Sequence, residues 1–145
     1  MTRTSTLTAV ILTALITGSC TPSAEDVDGL AGAAWLVTSI GGEFPVPGRT
    51  PWVQFTIANE IEGNGGCNDF MGRYATQDQT LIVGGWGATS ASCKSEQAEA
   101  LEDRLFQVLR RNPRYLLNGG NLTIGGDSLD LVSLESVGNA EPDHG

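Results

Sequence analysis

The chain has a single histidine, and only eight lysines and arginines stand against 17 acidic residues. A shortage of basic side chains excludes a nucleic-acid partner, because neutralising phosphates takes a clustered Lys/Arg face. It also excludes electrostatic adhesion to anionic lipid headgroups. The lone imidazole, His144, lies next to the C-terminus. There it can neither serve as a positioned general base nor complete a zinc set with cysteines. Cysteine is scarce as well: Cys20, Cys67 and Cys93 are too few for a disulfide-built miniature scaffold. The longest apolar run, LTAVILTALI over residues 7–16, falls well short of the roughly 20 residues a membrane-spanning helix needs. Charge is sparse at 17% and hydrophobic content is 40%, so the composition is that of a folding chain. What the chain has in excess is glycine, 19 residues, about twice the usual share of roughly 7%, as expected of a turn-rich β protein.

Residues 1–19 read as a signal peptide, with Arg3 as the positive n-region and residues 7–16 as the apolar segment. Small residues lead into Cys20 in LITGSC, which resembles the lipobox of bacterial lipoproteins. That resemblance implies acylation of the thiol, for instance by palmitate, with cleavage before Cys20. Thr17 departs from the leucine usual there. The alternative is an ordinary secretory signal cut nearby, with Cys20 an incidental thiol. Both place the mature chain outside the cytoplasm. Residues 20–29, small and acidic, form a tether; residues 30–136 form one domain; VGNAEPDHG over 137–145 reads as a frayed tail.

Within the domain, short β-type runs follow one another. AWLVTSI ends at Gly41-Gly42, and PWVQFTIA alternates, with Val53, Phe55 and Ile57 on one face. GRYAT and TLIVGGW flank QDQ as a hairpin, while RYLLN, NLTIG and SLDLVSL are punctuated by glycine pairs. A shift of pattern in SLDLVSL suggests a bulge. One helix interrupts the series over SEQAEALEDRLFQVLRRNP. Its apolar stripe is Ala98, Leu101, Leu105, Val108 and Leu109; Ser95 is the N-cap and Asn112-Pro113 the stop. About seven strands with one helix imply a mainly β protein: a strongly curved sheet or partial barrel with the helix plugging one opening.

The stretch IEGNGGCNDFMGRY, residues 61–74, is the candidate for chemistry. As a phosphate cradle it lacks the Lys-Ser/Thr and the following helix, and Phe70, Gly72 and Tyr74 alternate as in a strand. As a nucleophile, Cys67 has no base. The carboxylate pairs Glu60/Glu62 and Asp127/Asp130 sit in turns or strand ends and read as solvated surface. NGGNLTIGGDSLDL lacks the third repeat of a calcium-binding nonapeptide and reads as a hairpin. No catalytic residue, metal set or cofactor is expected. With Cys20 assigned to lipid, Cys67 and Cys93 remain as a disulfide in an oxidising compartment, contributing roughly 3–4 kcal/mol by chain-entropy arguments. The glycines before Cys67 then supply positive φ and close backbone approach.

Gly66-Cys67-Asn68 followed by Phe70, Gly72 and Tyr74 is similar to the GCN-x-F-x-G-x-Y signature of the META-domain family, which includes HslJ-like heat-shock lipoproteins. Trp35 with Val37 resembles that family's opening strand. LIVGGWGATSASC resembles its second signature, with Thr89 four residues before Cys93 and Ala91 where the family usually carries methionine. The resemblance implies a half-open, lipocalin-like barrel with one packed helix and no enzymatic activity. It also implies a role in the cell envelope and its stress response. The leading expectation is a protein anchored to the membrane through Cys20 that acts on an unidentified envelope component, facing the periplasm from the outer membrane where there are two membranes. A small-ligand carrier using the barrel mouth, or an inhibitor of a secreted hydrolase presenting the loop over residues 42–51, are the alternatives.

Feeding cells an alkyne fatty acid is expected to tag the wild-type protein and leave Cys20→Ser unlabelled. Equal labelling of the two would remove the anchor.

Overall fold

The computed structural model describes residues 29–126 and 130–138. Cys20, the tether through residue 28, Asp127 and the last seven residues, His144 among them, lie outside the described residues. The sequence runs β1 (Ala33–Ile40), β2 (Trp52–Phe55), β3 (Glu60–Asn64), β4 (Asp69–Gln77), β5 (Thr80–Ala88), α1 (Glu96–Leu109), β6 (Tyr115–Asn118), β7 (Asn121–Ile124) and β8 (Val132–Gly138). All strands belong to one antiparallel sheet in the order β5-β4-β3-β2-β1-β8-β7-β6. The first five strands step outward from β1 as a meander. The chain then crosses through α1 to the far edge and steps back, so that β8 pairs with β1.

The sheet curls until its two edges meet at one end. Thr80 bridges to Arg114, Leu81 N–H donates to the Pro113 carbonyl at 2.8 Å, and Tyr115 N–H donates to Gln79 at 2.8 Å. Asn112, at φ 51°, turns the chain out of α1, and its side-chain oxygen accepts from Val83 N–H at 3.2 Å. The residues that stop the helix thus also close the sheet. The result is the mainly β half-barrel with one helix that the sequence implies.

The concave side is filled. Val37, Val53, Phe55, Ile61, Leu81, Leu122, Ile124 and Leu134 from the sheet are fully buried, together with Leu105 and Leu109 from α1. The helix forms where its cap and stripe predict: Ser95 Oγ accepts from Ala98 N–H at 3.2 Å, and Ala98, Leu101, Leu105, Val108 and Leu109 are all buried. The β4–β5 hairpin turns on Asp78 and Gln79, both at positive φ (49° and 59°), as a two-residue primed turn requires.

Four details differ from the sequence reading. Glu60 is the end of a strand, as one of the two expected settings has it, but Glu62 stands in the middle of that strand, which brings the strands to eight among the described residues. Glycine richness masks the alternation: Ile61 and Gly63 point inward while Glu60 and Glu62 face out. Ile57 is 82% exposed, because β2 ends at Phe55 and the chain turns on Thr56, whose hydroxyl accepts from Ala58 and Glu60 N–H. Residues 128 and 129 of SLDLVSL, on which the expected shift partly rests, lie outside the described residues; where the end of this stretch pairs with β1, the extra residue is in the partner strand, between Val37 and Ser39 opposite Leu134 and Ser133. Finally, β8 continues through Val137 and Gly138, with Gly138 paired to Ala34, so the tail starts later than the composition suggests.

Leu105→Ala is expected to cost about 2–5 kcal/mol, the range for emptying a buried leucine site. Exposed Glu99→Ala should stay within about 0.5 kcal/mol. Urea melts decide this; a near-native midpoint for Leu105→Ala would mean that the helix does not seal the core.

Candidate functional site

The loop between β3 and β4 carries Gly65, Gly66, Cys67 and Asn68, and it packs against the first turns of α1. Cys67 and Cys93 form a disulfide, with 5.6 Å between Cα atoms and a sequence separation of 26. Four features let the loop take this shape. Gly66 has φ 111°, a conformation L side chains rarely adopt. Its N–H donates to Asn64 Oδ1 at 2.7 Å, and its carbonyl accepts from Arg49 at 3.4 Å. Gly65 leaves room for the helix: a Cβ there would come within 2.6 Å of the Glu102 side chain and 2.9 Å of Phe106. Gly63 leaves room for the Phe70 ring in the same way.

Glu102, 4% exposed, occupies the centre. Its Oε2 accepts from the backbone N–H of Cys67 at 2.9 Å and of Asn68 at 2.6 Å; its Oε1 accepts from Asn68 Nδ2 at 2.6 Å. Asn68 uses its whole side-chain capacity of two donors and two acceptor positions. Nδ2 also donates to the Ala91 carbonyl at 3.3 Å, and Oδ1 accepts from Ala91 N–H at 2.6 Å and from the Thr89 hydroxyl at 3.0 Å. Thr89 Oγ1 in turn accepts from Asp69 N–H at 3.1 Å. The network thus joins β4, the segment after β5, and α1. The buried carboxylate has three donors and the buried amide four partners, the condition under which burying them is tolerable.

The sequence-predicted residues divide into two groups. Gly66, Cys67, Asn68, Thr89 and Cys93 come together in this network. Trp35, Phe70, Gly72 and Tyr74 are distributed through the sheet and its core. Phe70 stacks on Trp86 at 4.9 Å, and both meet Phe106 of α1 edge-on. Tyr74 meets Phe55 edge-on at 5.0 Å and donates to the Thr56 carbonyl at 3.3 Å. A side chain at Gly72 would press on the Gly84 carbonyl at 3.0 Å. Trp35 is 2% exposed, and its Nε1 has no hydrogen-bond partner among the described residues. Ala91 contributes its backbone rather than a core contact, since its side chain is exposed.

Sequence reasoning missed Glu102. It lies in the apolar stripe, four residues after Ala98 and three before Leu105. A carboxylate in that register is the signal that it meets donors inside the fold.

The sequence profile of the META domain matches residues 28–137. This chain belongs to the META-domain family. No curated protein matches the sequence. One solution NMR structure shares the fold, with a TM-score of 0.66 and 18% identity, covering 76% of this chain and 93% of the other. An NMR structure of a protein from Burkholderia xenovorans does likewise, with a TM-score of 0.59 and 19% identity, covering 74% and 83%. META domains are not a known enzyme family. In this META domain the polar groups of the signature loop are bonded to Glu102 of α1, to Thr89 and to the Ala91 backbone, so the signature builds the fold's joint between sheet and helix.

Glu102→Gln keeps the shape but turns an amide N–H₂ toward donors. It is expected to cost about 1–3 kcal/mol, and Glu102→Ala, which orphans three donors, at least as much. A wild-type urea midpoint for Glu102→Gln would show that the carboxylate does not hold the loop.

Proposed function

We propose that this META domain is a non-enzymatic, lipid-anchored protein of the cell envelope that acts in envelope maintenance or stress response by touching another envelope component. The observation that carries this reading is where the unspent surface lies. The interior is packed by the core side chains, whereas Met71 stands 65% exposed on the outer face of the sheet. It lies in a cleft of about 200 Å³ with Glu60, Glu62, Arg73 and Gly85. The register sets Met71 opposite Glu62 and Arg73 opposite Glu60, so an unbranched thioether is framed by charges of both signs. Exposed methionine in a charged frame suits a protein contact, since its flexible stem adapts to a partner surface.

The packed interior argues against a carrier that uses the barrel mouth. The absence of a histidine from the domain's sequence and the closed bonding of Asn68 and Glu102 argue against catalysis. Phe44, 73% exposed, lies in the loop of residues 42–51 that a hydrolase inhibitor would present. That loop is tied back to the signature loop by Arg49.

A photo-crosslinking amino acid at position 71 in intact cells is expected to capture a discrete partner. The same probe at Gln107, exposed on the outer side of α1, should not. No adduct at position 71, or identical adducts at both, would remove the outer cleft as the contact surface.

A further inference from the structure

Cys67 Sγ, Cys93 Sγ and a Glu102 carboxylate oxygen lie within 4.8 Å of one another, with Glu102 buried and both cysteines half-buried. The cysteines come from two loops and the carboxylate from α1, so it is the fold that gathers the three. We propose that the reduced form of this domain binds one zinc ion through these residues, and that the disulfide is the oxidised, metal-free state of the same site.

The chemistry of the donor set suits zinc. Two thiolates and one carboxylate leave a fourth tetrahedral position for solvent, and their combined charge exceeds that of the ion by one unit. Two Zn–S bonds of about 2.3 Å at a tetrahedral angle hold sulfurs about 3.8 Å apart, against about 2.0 Å in any disulfide. The 5.6 Å between Cα atoms accommodates both spacings through side-chain rotation. The carboxylate is already oriented: Cys67 N–H, Asn68 N–H and Asn68 Nδ2 fix it, which is the supporting shell that ligating carboxylates have in zinc sites.

The interconversion balances with a dithiol reductant. Two electrons from the dithiol break the Cys67–Cys93 bond, the dithiol leaves as its own disulfide, and its two protons pass to the cysteine sulfurs. Zinc binding then releases those two protons. Oxidation reverses the step and expels the ion. The metal would keep α1 docked on the signature loop when the covalent link is cut.

The test uses purified protein reduced with a water-soluble phosphine and titrated with Co²⁺, then with Zn²⁺. Expected results are one ion per chain, sulfur-to-cobalt charge-transfer absorption with the strong visible bands of a tetrahedral ion, and a β-type circular dichroism spectrum retained or restored on metal addition. The oxidised protein should bind none. Glu102→Gln in the reduced state should bind at least tenfold more weakly. Should that variant not fold when reduced, zinc X-ray absorption of the wild type carries the decision, with two sulfurs and two light atoms expected around the ion. Half an ion per chain, a shell of four sulfurs, unchanged affinity in Glu102→Gln, or a reduced chain that zinc neither binds nor refolds would each overturn the site.

Discussion

A carboxylate taken out of water needs donors around it, and in this fold Glu102 takes all of its observed donors from one short loop. Much of the local architecture follows from that constraint. The helix has to sit where its second turn reaches the amides of Cys67 and Asn68, at 2.9 and 2.6 Å. Gly65 has to be a glycine, because any side chain would occupy the space of the carboxylate. Asn68 has to point inward, and once inward it needs Thr89 and the Ala91 backbone to complete its bonding. The disulfide joins two of these segments covalently, the signature loop and the stretch that leads into α1, and its loop-closure contribution of roughly 3–4 kcal/mol adds to that of the hydrogen bonds.

The second organising feature is the way an eight-stranded sheet disposes of its edges. Edge strands left open invite pairing with other chains. Here the curl brings the start of β5 against the residues entering β6, where Thr80 bridges Arg114. The segment that performs this closure is also the end of α1. Asn112 serves both, breaking the helix with a left-handed conformation and accepting from Val83 across the seam. The aromatic set Phe70, Trp86 and Phe106 fills the space between the other end of β5 and the helix. Helix and barrel closure are therefore one structural event, which explains why the apolar stripe of α1 is buried along its whole length.

These two features also bear on function. The most distinctive stretch of the sequence supplies its polar atoms to the domain's own joints. META domains are not a known enzyme family, and in this chain that stretch acts as a fold determinant through the bonds of Asn68 to Glu102, Thr89 and Ala91. The contact surface proposed above is the outer face of β3 and β4, where Met71 and the flanking charges of Glu60, Glu62 and Arg73 project from the side of the sheet that the core does not use.

Much of the fold was legible because its signals are local. A β-type run ended by Gly41-Gly42 marked β1 and alternation marked β2, the Ser95 cap and the Ala98–Leu101–Leu105 spacing marked α1, and Asp78-Gln79 with the glycine pairs marked turns. Elimination among three cysteines pointed to the Cys67–Cys93 bond. What the sequence did not disclose was β3, the departure of Ile57 from the sheet, the seam between β5 and β6, and the role of Glu102. In β3 the glycine that permits tight packing, Gly63, stands where alternation would place a second apolar side chain, so the strand is not recognised. Ile57 leaves the sheet through a local turn, in which the Thr56 hydroxyl accepts from Ala58 and Glu60 N–H, whereas the seam and the role of Glu102 depend on partners distant in sequence. The amides of Cys67 and Asn68 find their acceptor 35 and 34 residues away. Periodicity reports which way a side chain points, and propensity reports which dihedrals a residue prefers. Neither encodes which buried donor lies opposite, because that is decided only when sheet and helix pack together.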